Sequence, residues 1–206
     1  MSHRAGRTRW RRFAVVLLSG VAACATVAVA MAQGVLAASF FISGQKFQIT
    51  ADSLTARGFS LYGMVDVTRK GEPVPVVVTG FRHASLSGLC QSVLVDVPVL
   101  GTQTLRLTGS GRPAEASDLF IDATTETAKG GDFSGLDIGV AQGAITKGPV
   151  DPGDKASRFF DPDGVGQQAA SATLTDVRVS AVALSAGTIS VPGLRLQLEK
   201  GNHECP

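Results

Sequence analysis

ATLTDVRVSAVALSAGTISVPGLRLQL, residues 172–198, is the stretch whose reading decides the fold. Leu174, Val177, Val179, Val182, Leu184, Ile189, Val191, Leu194, Leu196 and Leu198 recur near every second position, and Thr, Ser and Val fill the gaps. An apolar residue at alternate positions puts one face of a pleated strand toward a core, and β-branched fillers suit that surface. Gly187 and Gly193 read as bends.

The pattern extends outward through the chain. Lys46–Thr50, Phe59–Val67, Val74–Gly80 and Thr102–Thr108 read as strands, as do Leu119–Ala123 and the apolar face of Phe133, Leu136, Ile138 and Val140. Ala84–Val99 is a long apolar run broken by Gly88 and Pro98. Polar turns fall at Arg69–Pro73 and Gly109–Pro113, and a polar loop at Thr124–Asp132. Beyond residue 45 no capped i, i+3, i+4, i+7 stripe is present. Short strands between frequent turn signals predict an all-β domain of antiparallel sheets, as a sandwich or as stacked layers. Ala51–Thr55, Ala84–Ser87, Ala116–Leu119 and Ala172–Thr175 form a loose repeat, which reads either as stacked β units or as chance in an Ala/Ser/Thr-rich chain. Gln142–Ser171, rich in Gly, Pro and Asp, reads as one long loop.

Before the β region stands a different kind of sequence. Arg4, Arg7, Arg9, Arg11 and Arg12 lie in a basic segment, residues 1–12, and Phe13–Ile42 then carries no charge. About 20 apolar residues suffice to cross a bilayer, and flanking arginines stay on the cytoplasmic side. Residues 13–38 are therefore expected to be a transmembrane or signal helix that places residues 39–206 outside the cytoplasm. Cleavage after Ala28-Val29-Ala30 or Ala30-Met31-Ala32 would release the domain; retention would make it single-pass. Val21-Ala22-Ala23-Cys24 resembles a lipobox and makes Cys24 a candidate for lipidation, against a plain apolar cysteine in a helix. Arg11-Arg12-Phe13 has the twin arginine of an export signal without the rest of it.

Charge and cysteine usage narrow the function. Of 19 basic residues five lie in the leader, leaving 14 against 17 acidic ones, a net charge near −3 on the β region. That excludes a basic nucleic-acid face. Cys90 and Cys205 remain outside the leader, and a pair in an exported domain reads most simply as a disulfide. Closing a loop of more than a hundred residues is worth about 4–5 kcal/mol in the chain-entropy account. The rival reading, two thiols for metal or catalysis, has no C-x-x-C and no nearby ligand cluster.

Catalytic motifs are missing. No G-x-S-x-G elbow, H-E-x-x-H or phosphate loop is present, and His83 and His203 are the only histidines after the leader. No catalytic residue, metal or cofactor is assigned. Asp161, Asp163 and Gly164 begin like a calcium loop but lack its later carboxylates, and read as turns. Phe159-Phe160 in a polar loop is either a membrane or partner contact or a pin that folds back on the core.

Several motifs carry a resemblance. Arg9–Leu17, Leu36–Phe40, Ser43–Phe47, Leu89–Ser92, Thr146–Gly148, Gly166–Gln168 and Asn202–Cys205 resemble a family of uncharacterised exported or membrane-anchored proteins of Streptomyces and related actinobacteria. The likeness spans nearly the whole chain, and the Cys90 and Cys205 positions match cysteines of that family. It implies a small multi-spanning membrane protein as a partner, and a "cholesterol esterase" label without catalytic residues. The expectation is thus a non-enzymatic cell-envelope protein that binds a membrane partner or an apolar molecule such as a lipid. The alternative is a lipid or steryl ester hydrolase.

Overall fold

The computed structural model describes residues 43–206. The basic segment, the helix expected over 13–38 and Cys24 lie outside the described residues. Among the described residues no helix is long and apolar enough to cross a membrane.

Nine strands follow one another: β1 (Phe47–Val67), β2 (Pro73–Ser87), β3 (Cys90–Val97), β4 (Gly101–Thr108), β5 (Ala114–Thr127), β6 (Gly130–Ser134), β7 (Asp137–Ala141), β8 (Val165–Ser190) and β9 (Arg195–Lys200). A 3₁₀ turn at Gln142–Ala144 and one helical turn, α1 (Pro152–Lys155), lie between β7 and β8. The domain is all-β, and every pairing is antiparallel. In place of a sandwich or stacked layers, the nine strands form one continuous sheet.

That sheet closes on itself. β1 pairs β2, β2 pairs β5, β5 pairs β8, and β8 returns to β1 along Phe47–Tyr62. Closure leaves these four strands paired on both sides, which removes the edges that invite aggregation. β3, β4 and β9 extend from the ring as a three-stranded wing. β6 and β7 continue along the β8 edge that β5 occupies further on.

The core explains why strict alternation is hard to follow in the sequence. Residues packed inside the ring are Ile49, Ala51, Leu54, Ala56 and Phe59 on β1, and Ala169, Ala172, Leu174, Val177 and Val179 on β8. Their spacing alternates between two and three residues. At each longer step one residue on each of two facing strands drops out of the ladder: Gly58 faces Arg82, and Asp52 faces Asp176, without pairing. Gly58 (φ 68°), Asp118 (φ 46°) and Asp176 (φ 48°) adopt left-handed backbone at such steps. Glycine does so freely and aspartate with little penalty. Because both strands skip one residue together, the register is kept while the inward face resumes one position later.

Each repeat unit falls on a different ring strand, so the units are not stacked modules. Ala172, Ala56, Ala84 and Ala116 are successive partners across β8, β1, β2 and β5, and all four are buried. Leu54 pairs laterally with Leu86 and Leu174.

Three sequence expectations need correction. The loop over 142–171 ends at residue 164, because β8 begins at Val165 and takes up Val165–Ser171. The Thr124–Asp132 loop shrinks to Ala128 and Lys129, since β5 reaches Thr127 and β6 starts at Gly130. Gly187 does not bend the chain out of the sheet but lies within β8. Their glycines and polar residues are tolerated because partners on both sides of β8 satisfy its backbone.

Candidate functional site

Two regions carry chemistry or surface beyond packing. The first is the wing. Side chains of directly paired residues share a face. Val93, Leu105 and Leu198 are successive partners across β3, β4 and β9, and so are Gln91, Leu107 and Leu196. This face is open: Leu196 is 61 % and Leu198 65 % exposed. The opposite face is polar and carries the C-terminal tail. Thr104 Oγ1 donates to the Gly201 carbonyl at 2.7 Å and accepts from the His203 amide at 2.8 Å. The Cys205 amide donates to Ser92 Oγ at 2.9 Å. Cys90 and Cys205 are joined by a disulfide with Cα atoms 6.0 Å apart. The tail thus seals the polar face, with Ser92 and Thr104 fully buried beneath it, and among the described residues nothing covers the apolar face in the same way. At the β3–β4 turn, Val99 and Leu100 are fully and largely exposed.

The second region lies where residues 142–164 cross the outside of the ring. Leu119 and Ile121 belong to the inner core while Phe120 belongs to a second cluster with Tyr62, Met64, Val76, Val78 and Val182. Adjacent strand residues face opposite sides, so this second cluster sits on the outer face. Ile145 and Val150 of the connection complete it. Phe159 and Phe160 pack against it, and the Phe160 ring meets Tyr62 edge-on at 6.2 Å. The aromatic pair therefore pins the connection to the sheet. Ser60 Oγ donates to the Pro149 and Gly80 carbonyls.

Four aspartates meet at the rim of this cluster. Tyr62 donates from its hydroxyl to Asp154 at 2.7 Å and accepts from the Asp151 amide at 3.1 Å. Burial, opposed by the Tyr62 hydrogen bond and reinforced by the charges of Asp151 and Asp66, pushes the Asp154 carboxyl up to about 6. Burial, with the neighbouring Asp66, Asp154 and Asp151 charges, pushes Asp122 up to about 8. Asp66 is raised as well, mainly by burial. Like charges in a shared site cannot all ionise, so Asp122 keeps its proton and donates it toward Asp66. The Tyr62 phenol is raised by burial and by Asp154, and stays neutral. This arrangement holds protons near neutral pH; of the nearby hydroxyls among the described residues, Ser60 is buried and committed to carbonyls, and Ser185 donates only a 3.4 Å bond to Asp151.

The remaining candidates are quickly placed. His203 Nε2 contacts the Lys200 carbonyl at 3.1 Å, and His83 lies exposed on β2. Asp161 Oδ1 accepts from the Asp163 amide at 3.1 Å, which makes Asp161–Gly164 a side-chain-closed turn. Among the described residues no group of three or more His, Cys, Asp or Glu is arranged to hold a metal. A cleft of about 130 Å³ opens between Leu86–Leu89 and Gly109–Ala114, well below the roughly 300–1,000 Å³ of ligand pockets. Sequence reading located the cysteine pair, and of its two readings of Phe159-Phe160 the packing fits the pin on the sheet and not the partner or membrane contact. Sequence reading missed Asp66, Asp122 and Tyr62, which occupy ordinary alternating positions in their strands and become a site only when the connection covers them.

No curated protein and no solved structure matches the chain. Residues 43–206, all of the β domain, match the family described as "Family of unknown function (DUF6230)". The match covers most of the chain, and the protein belongs to the family of unknown function DUF6230.

Proposed function

We propose that this protein is a non-enzymatic component of the cell envelope. Its N-terminal apolar segment takes the β domain to the outer side of the membrane, where the domain binds an apolar envelope molecule or a membrane partner. The observation that supports this most is the uncovered apolar face of the wing, with Leu105, Leu196 and Leu198 exposed side by side. A contiguous apolar patch on a protein surface marks an interaction site. The disulfide that ties the tail to the opposite face suits an oxidising, exported setting.

The esterase alternative is tested directly. The full-length protein, extracted in mild detergent, is treated with a serine-reactive fluorophosphonate and weighed by native mass spectrometry. The binding reading expects no covalent adduct and a retained lipid or partner. A stoichiometric adduct lost on a single Ser→Ala change would make it a hydrolase and overturn the proposal.

A further inference from the structure

We propose that the β3–β4 turn, Val97-Pro98-Val99-Leu100, inserts into the apolar boundary of a phospholipid bilayer, with the leucine face of the wing lying along it. The inference deepens the envelope reading and rests on it.

Three observations carry it. First, the turn is apolar where turns are ordinarily polar. Val99 is wholly exposed and holds φ at 74°, a backbone state in which a β-branched residue is a true outlier. A glycine would sit there without strain, so an exposed valine costs the free protein twice. Outliers of this kind point toward function.

Second, the face continuous with the turn carries no carboxylate. Paired in register are Val95 with Gln103 and Gln103 with Lys200, next to the two leucine rows. Asp96 and Glu199 fall on the alternate positions, which belong to the other face. An apolar surface rimmed by one lysine and free of acid suits the boundary of a membrane carrying anionic lipid.

Third, the chain itself commits the occupant. The segment expected to span the membrane, residues 13–38, is joined to β1 by the eight residues 39–46, a tether that spans at most about 28 Å. β3 is antiparallel to β1 and passes its beginning: Gln48 faces Ser92, and Val93–Val97 runs on beyond. At about 3.3 Å per residue the turn projects roughly 20 Å past that point. On the envelope reading, with residues 13–38 in the bilayer, so short a tether leaves such a hairpin within reach of the same bilayer.

The test uses the full chain reconstituted in vesicles of phosphatidylcholine and phosphatidylglycerol, with and without acyl-chain bromination. Trp10 is the chain's single tryptophan, so Trp10→Phe leaves a dark background. Val99→Trp is added in one variant and Asp163→Trp, at an exposed turn in the 142–164 connection, in another. Leu100→Trp repeats the readout if Val99→Trp disturbs the turn. Insertion predicts bromine quenching several-fold stronger at 99 and 100 than at 163. Equal quenching at all three positions, in vesicles with which the protein floats, overturns the insertion and leaves anchoring intact. A chain that fails to float with the vesicles overturns the anchored reading, and the insertion with it.

Discussion

At the residue scale the carboxylate cluster makes the sharpest prediction. Asp122 has an ordinary value of 3.8 and a folded value of about 8. Its raised value means that ionisation is easier in the unfolded chain. The stability that depends on a neutral Asp122 is complete below the ordinary carboxylate range. It is lost as pH rises toward about 8, and Asp154, pushed up to about 6, adds loss in the lower half of that window. Asp122→Asn keeps a donor toward Asp66 and removes the ionisation. Urea unfolding should therefore show the variant more stable than the parent at pH 8.5, on the order of 1–2 kcal/mol, with the gap narrowing as pH falls and closing only below about pH 4. An unchanged gap would refute the assignment. Gly148 gives a second test at this scale. A Cβ there would fall on the Phe59 backbone and the Ser60 amide, neither of which can move without opening β1. Gly148→Ala should cost about 2 kcal/mol or more and expose the Phe159-Phe160 segment to protease before the ring unfolds. None of this was legible beforehand. A Gly after Lys147 and an Asp between two apolar strand residues look unremarkable until 142–164 lies across them. Cys90 and Cys205, by contrast, were legible, because only two cysteines remained outside the leader and both had to be placed.

At the element scale, β8 shows why strand existence was readable and strand length was not. Its apolar residues announce a strand, but the three-residue steps at Asp176 and around Ala170 break the period of two. A reader following strict alternation stops at each break, which is how one 26-residue strand loses its first seven residues to a loop. At each step a facing residue pair drops out of the ladder, so the inward face resumes one position later than a period of two predicts. The tail is the other element with a testable role. It has little secondary structure and is held by Ser92, Thr104 and the disulfide across 115 residues. Cys205→Ser should lower stability by about 2–5 kcal/mol and make residues 201–206 the first site of proteolysis. If reductant leaves the unfolding midpoint unchanged, the tail is not a fastener.

At the scale of the molecule, closure of the ring could not be read from sequence. It depends on β1 meeting β8, more than a hundred residues away, and no local pattern encodes that partner. Closure has a measurable consequence. Amides of β1, β2, β5 and β8 in the ring should exchange with deuterium only on global unfolding, while those of β9 and β7 exchange through local opening. The same architecture separates the two faces of the wing, one sealed by the tail and one open, and that asymmetry is what the proposed anchored binding role builds on. Its central claim is location. Intact cells expressing the full-length protein are treated with a protease that cannot cross the membrane, and the membrane fraction is run with and without reductant. The account predicts membrane-bound protein whose β domain is digested from outside and whose Cys90–Cys205 link shifts mobility on reduction. Protease-resistant protein recovered from the cytosol with both thiols free would contradict it.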